Sequence, residues 1–145
     1  MSFQAATIVV MYSELWQALS RKKEESMHTT RPSVERYGSV VGVKDGMVSR
    51  YRELHAAVWP EVLALIKQTH IANYSIYLRK LPDGRHYLFS YLEYDGADFE
   101  QDMARMIDDP VMKRWWAECV PCLELLPDRT PGEVWSPMAE VFHLD

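Results

Sequence analysis

Two groups of residues in this chain could do chemistry. In Tyr51-Arg52-Glu53-Leu54-His55-Ala56-Ala57-Val58-Trp59-Pro60-Glu61 a phenol and an imidazole stand four residues apart. On a helix that spacing sets Tyr51 and His55 on one face. An imidazole titrates near neutral pH, so His55 could take up and release a proton. It could equally be a core histidine bonded to a carbonyl. The second group is Trp115-Trp116. Successive helix positions point about 100° apart, so two adjacent indoles rarely share one core. Trp115 would pack inside and Trp116 would cap the rim, or one or both would stack on the C–H face of a sugar, the indole N–H meeting a hydroxyl. Tyr74 stands on the same predicted strand face as Ile76, as a core phenol or a ligand contact. Cys119-Val120-Pro121-Cys122 is a single C-x-x-C without a second pair, so two buried thiols are expected rather than a zinc or redox centre. The remaining histidines, His28, His70, His86 and His143, have no metal-site spacing, and no glycine-rich phosphate loop is present. Asp98, Glu100 and Asp102 read as a solvated helix face.

These residues need elements to hold them. Glu35 to Val43 reads as a strand, with Tyr37, Ser39, Val41 and Val43 on one face and Gly38, Val40 and Gly42 on the other. The glycines leave room there for a close approach. A helix follows, with apolar residues from Val48 to Ile66 at three- and four-residue spacing. Pro60 has no N–H and cannot sit inside a continuous helix. A break is therefore expected near Val58 and Trp59, with Pro60 in the first turn of a second segment. Ala72 to Leu81 and His86 to Tyr94 read as a hairpin around Pro82-Asp83-Gly84, with Ala72, Tyr74, Ile76 and Leu78 sharing a face. Both hairpin faces are apolar, so both should be covered. A helix is expected over Asp95 to Asp108, and another opening at Asp109-Pro110, where Asp caps and Pro starts the helix. Cys122 to Pro137 reads as loop, and Met138 to Leu144 alternates like a closing strand. The order is β-α-β-β-α-β, an α+β, ferredoxin-like arrangement. Its helices cover one sheet face. The other face must meet a partner, such as a second copy in a homodimer, or line a cavity.

Length and composition bound the reading. The chain has 145 residues, enough for one domain, and 48% hydrophobic residues, enough for a modest core. A net charge of -5 argues against nucleic acid or an anionic membrane as a partner, and no apolar run is long enough to span a bilayer. A cytoplasmic protein is expected. Residues 1–34 read differently from 35–145. Thr7 to Met11 is short and precedes the basic Arg21-Lys22-Lys23, the reverse of a signal peptide. Residues 1–34 are therefore an extension of linker-like composition, with Met27 a candidate true start, or else they carry a docked helix from Ser13 to Lys23.

In combination, several segments are similar to the L-rhamnose mutarotase family. They are Tyr51-x-x-x-His55, Val58-Trp59-Pro60-Glu61, Asn73-Tyr74-Ser75-Ile76-Tyr77-Leu78, Val111-Met112-Lys113-Arg114-Trp115-Trp116, Pro127-Asp128 and Glu140-Val141-Phe142-His143-Leu144. The likeness runs from about Arg36 to Leu144. It implies a dimeric α+β barrel that interconverts the α and β anomers of a 6-deoxy-L-hexose, L-rhamnose or L-fucose, with no cofactor and no metal. By that resemblance His55 is the proton donor, and Tyr51, Tyr74, Trp115 and Trp116 contact the sugar. The stretch from Glu118 to Pro137, with its C-x-x-C and Trp135, departs from shorter members. Two rivals stand beside this reading: a dimeric-barrel monooxygenase or haem-degrading enzyme, since fold does not determine function, and a sugar-binding module without turnover.

Overall fold

The computed structural model describes residues 33–145. The expectations for the N-terminal extension, including the helix from Ser13 to Lys23 and a start at Met27, fall outside the described residues. Strand β1 (Glu35–Val43) is followed by helices α1 (Val48–Ala56) and α2 (Pro60–Gln68). The hairpin β2 (Ile71–Lys80) and β3 (His86–Tyr94) comes next, then α3 (Phe99–Asp108) and α4 (Pro110–Cys119). A 3₁₀ turn over Val120–Cys122 leads to β4 (Leu123–Glu124), and β5 (Ser136–Met138) closes the order. The antiparallel sheet runs β2-β3-β1-β4, with β5 also on β1. This is the ferredoxin-like α+β order, with the final strand divided in two.

Local rules account for the element boundaries. Pro60 occupies the first turn of α2, and Trp59 is its cap residue with an extended backbone, so the break falls where the missing N–H requires it. Asp109 caps α4, accepting from the backbone N–H of Val111 at 2.7 Å and of Met112 at 3.2 Å. Asp98 does the same for α3 through Gln101, which is why that helix starts at Phe99 and not at Asp95. The hairpin turns at Gly84, whose φ of 81° suits a residue without a Cβ.

The sheet alternates as a one-faced layer should. Val41 and Val43 of β1 and Leu88 of β3 are buried against the helices, with Tyr51, Leu54, Val62, Met106, Met112 and Trp115. On the opposite face of β1 a Cβ at Gly42 would stand 2.6 Å from the carbonyl oxygen of Glu124, so the glycine admits β4 at close range.

Three expectations need correction. Met138 to Leu144 does not form a strand: pairing on β1 ends with Gly38 opposite Met138, and residues 139–145 have no regular structure. Alternation says which side chains would share a face, but a strand also needs a backbone ladder, and none forms beyond Met138 although β1 continues to Glu35. Arg36 still grips this tail through Glu140 at 2.8 Å. Second, Ala72 does not share a face with Ile76. The register shifts between Ala72 and Ser75, and Asn73 takes a φ of 46°. That one-residue bulge puts Ala72 opposite Glu93 on the outer face. Third, Asp102 is not solvated. It is buried, and the Tyr94 hydroxyl donates to it at 2.8 Å. Burial and this carboxylate neighbour both push the Tyr94 phenol up, so it stays a donor.

The Tyr94–Asp102 bond ties β3 to α3. Replacing Tyr94 by Phe keeps the ring but leaves a buried carboxylate short of its donor. The expected loss is about 1–3 kcal/mol of unfolding free energy, read from urea denaturation.

Candidate active site

His55 stands in the last turn of α1, just before the break that Pro60 imposes. Its Nδ1 lies 3.0 Å from the backbone oxygen of Tyr51. A carbonyl only accepts, so Nδ1 carries the hydrogen, and Nε2 is the basic nitrogen of the neutral ring. Tyr51 supplies more than its carbonyl: its ring stacks on the imidazole with centroids 4.1 Å apart and planes inclined by 21°. The edge of Trp115 meets the imidazole at 5.4 Å. Burial lowers the pKa of His55 below its ordinary value, and the bond to the Tyr51 carbonyl offsets part of that effect. The resting imidazole at neutral pH is therefore uncharged.

His55 borders a cavity of about 950 Å³ between the helices and the inner sheet face. Trp115 and Trp116 both line it. Trp115 is buried, wedged edge-on against Trp59 at 5.4 Å, while Trp116 is half-buried at the rim. The guanidinium of Arg114 lies 5.8 Å from the Trp59 ring centre, which holds the far side of this aromatic stack. Tyr74 reaches the same cavity from β2, within the bulge between Ala72 and Ser75. Its side chain is partly open (43% exposed), and desolvation pushes the phenol up to about 12. It is a permanent hydrogen-bond donor at neutral pH.

On the sheet side of the cavity, Ser39 and Ser90 are direct cross-strand partners with their hydroxyl oxygens 2.5 Å apart. Tyr37 stacks on Phe99 with centroids 4.8 Å apart, and its hydroxyl donates to Glu35. Cys119 and Cys122 are buried free thiols. Burial pushes Cys119 up to about 12, so it stays protonated and is a poor nucleophile. Among the described residues, no three His, Cys, Asp or Glu side chains converge as metal ligands.

The fold thus brings His55, Tyr74, Trp115 and Trp116 to one cavity. Tyr51 is not among the cavity-lining side chains; it is packed behind the imidazole. Sequence reasoning did not single out Trp59, Ser39 or Ser90 as site residues. The signal for the serines was present as two polar residues at inward strand positions, next to Val41 and Leu88, where alternation calls for apolar side chains. The signal for Trp59 was its place at the proline break.

A sequence profile of the L-rhamnose mutarotase family matches residues 36–144. The L-rhamnose mutarotase of Bacteroides thetaiotaomicron is 32% identical over 103 residues, covering 71% of this chain and 91% of the relative. That of Jannaschia sp. is 34% identical over 111 residues, covering 77% of this chain and 99% of the relative. Among solved structures, the L-rhamnose mutarotase of Formosa agariphila superposes with a TM-score of 0.58 at 25% identity, over 77% of this chain and 99% of that one. Profile, relatives and fold agree with one another: the chain belongs to the L-rhamnose mutarotase family.

Proposed function

We propose that this protein interconverts the α and β anomers of a 6-deoxy-L-hexose by opening and reclosing its pyranose ring. The family assignment supports the reaction and does not favour the oxygenase or haem-degrading reading. The observation that carries the chemistry is the oriented imidazole, with Nδ1 tied to a carbonyl and Nε2 left as the base on a cavity bordered by two indoles.

The steps follow from that tautomer. Nε2 of neutral His55 takes the proton of the anomeric hydroxyl. The released electron pair forms the C1=O1 double bond, the C1–O5 bond breaks, and O5 receives a proton to become a hydroxyl. O1 and O5 share C1, so the imidazolium formed in the first half can supply the proton needed in the second. Tyr51 stays outside the proton path and fixes the plane and tautomer of the imidazole from behind. Rotation about C1–C2 presents the other carbonyl face, and the same transfers run backwards. Trp115 and Trp116 hold the C–H face of the ring, and the protonated Tyr74 phenol donates to a sugar oxygen. L-rhamnose is the first sugar to test, since the relatives are L-rhamnose mutarotases; L-fucose is the second.

We infer a homodimer as the working form. The outer sheet face carries Tyr77, which is 64% exposed, with Tyr87, Phe89 and Tyr91 on the neighbouring strand. Val141, Phe142 and Leu144 of the tail are also exposed. Apolar surface of this extent calls for a covering partner, and a second copy offers the same aromatic face in return. The free thiols suit a cytoplasmic location, and no described helix is long and apolar enough to cross a membrane.

Saturation-transfer NMR on L-rhamnose and L-fucose measures anomer exchange directly. His55→Asn should leave thermal unfolding little changed and cut the catalysed rate by about 10²–10⁴-fold; a folded variant with full activity would remove His55 from the mechanism. Anomer exchange without enzyme acceleration, but with sugar-dependent thermal stabilisation, would instead mark a binding module. The lowered pKa of His55 has a definite consequence for pH. The base form is complete above that pKa and is lost as pH falls through it, so kcat/KM should climb through an inflection below about 6.5 and be level at neutrality. Sedimentation equilibrium should return twice the chain mass at micromolar concentration, and a monomer there would contradict the dimer.

A further inference from the structure

We propose that the Ser39–Ser90 pair reads one ring hydroxyl of the sugar and so decides which hexose is turned over; this rests on the anomer-exchange reading of the same cavity. The inward-facing pairs along β1 and β3 run Tyr37–Leu92, Ser39–Ser90 and Val41–Leu88, and Ile76 of β2 stands opposite Ser90. The two serines are thus a polar island in an apolar floor. Valine or isoleucine would satisfy strand propensity better at both positions, and a cross-strand hydroxyl pair alone is worth little to the sheet.

Donor counting gives the island its chemistry. Each hydroxyl has one hydrogen to donate and two lone pairs to accept with. The bond between them, at 2.5 Å, uses one hydrogen. Among the described residues neither serine has another partner, so one O–H and several lone pairs remain for a ligand. Ser90 is only 6% exposed, and both serines line the cavity, so what is left over can be used only from within the cavity. A sugar hydroxyl, itself one donor and two acceptors, is its complement. On the same strand the Tyr37 hydroxyl donates to Glu35, and Arg36 is engaged with Glu140. His55 and the indoles belong to the helix wall. A ring held there by its anomeric end and its C–H face can turn a remote hydroxyl, at C2, C3 or C4, toward the sheet. Sites that hydrogen-bond a substrate hydroxyl discriminate strongly against analogues lacking it, because their own polar groups are then left unpaired.

The test uses the full chain, wild type and Ser39→Ala/Ser90→Ala, with L-rhamnose and its 2-, 3- and 4-deoxy analogues. Anomer exchange is followed by NMR and binding separately by calorimetry. For the wild type, one deoxy analogue should lose about tenfold or more in kcat/KM and in affinity. The double variant should erase that difference, raising KM for L-rhamnose about tenfold with kcat little changed. If the double variant does not fold, Ser39→Ala and Ser90→Ala singly carry the same comparison, since each breaks the pair. A folded variant that keeps wild-type preferences across the panel overturns the proposal, as does a wild type that binds none of these sugars. A wild type that exchanges no anomers, yet binds with a hydroxyl preference that the variant loses, sinks the anomer-exchange reading and leaves the serine pair as the hydroxyl reader.

Discussion

The missing N–H of Pro60 is the constraint on which the site depends. It ends one helix and starts another within four residues. Because α1 stops at Ala56, His55 stands in its final turn and borders the cavity instead of being sheathed in continuing helix. Because α2 starts at Pro60, Trp59 takes an extended backbone and meets Trp115 edge to face. The same break therefore frees the imidazole and braces the indole beside it. A helix running unbroken from Val48 to Gln68 would carry the same side chains, yet would not leave this opening between them.

Desolvation then acts on the cavity in one consistent direction. It lowers the pKa of His55 and raises that of Tyr74, and both shifts favour the uncharged form. Cys119, close enough to add to the shift of Tyr74, is kept as a neutral thiol for the same reason. Around His55 and Tyr74 the result is a wall of neutral donors and acceptors set among indoles and aliphatic chains, while Glu35, Arg36, Glu100 and Glu140 also border the cavity. The neutral wall suits a ligand that is itself neutral, with apolar C–H faces and many hydroxyls. It would serve a phosphorylated or carboxylated substrate poorly, because the guanidinium in the lining, that of Arg36, is already matched by Glu140.

The sheet divides two tasks between its faces. The inner face supplies core residues at one end and cavity floor at the other, Val41 and Leu88 grading into Ser39 and Ser90. The outer face is aromatic and open. On the β1 edge, β4 and β5 each cover a few residues, and the tail beyond Met138 is not paired as a strand.

How much of this was legible depended on how local the cause was. The break at Trp59-Pro60, the caps at Asp98 and Asp109, the turn at Gly84 and the shared face of Tyr51 and His55 all follow from a few neighbouring residues, whose φ preferences and hydrogen-bond donors act within one or two turns. Motifs strung along the chain carried the family resemblance for the same reason. Other features rest on partners far away in sequence. The bulge at Asn73 that turns Ala72 outward depends on the register of β3, and the burial of Asp102 on a tyrosine in the preceding strand that needed an acceptor. Ser39 and Ser90 become a hydroxyl pair only because β1 and β3 pair in one register. The tail, strand-like by alternation, stays irregular beyond Met138, tied to β1 by the Arg36–Glu140 side-chain pair and not by a strand ladder. Periodicity describes what one segment offers; tertiary structure alone decides which segment is there to receive it.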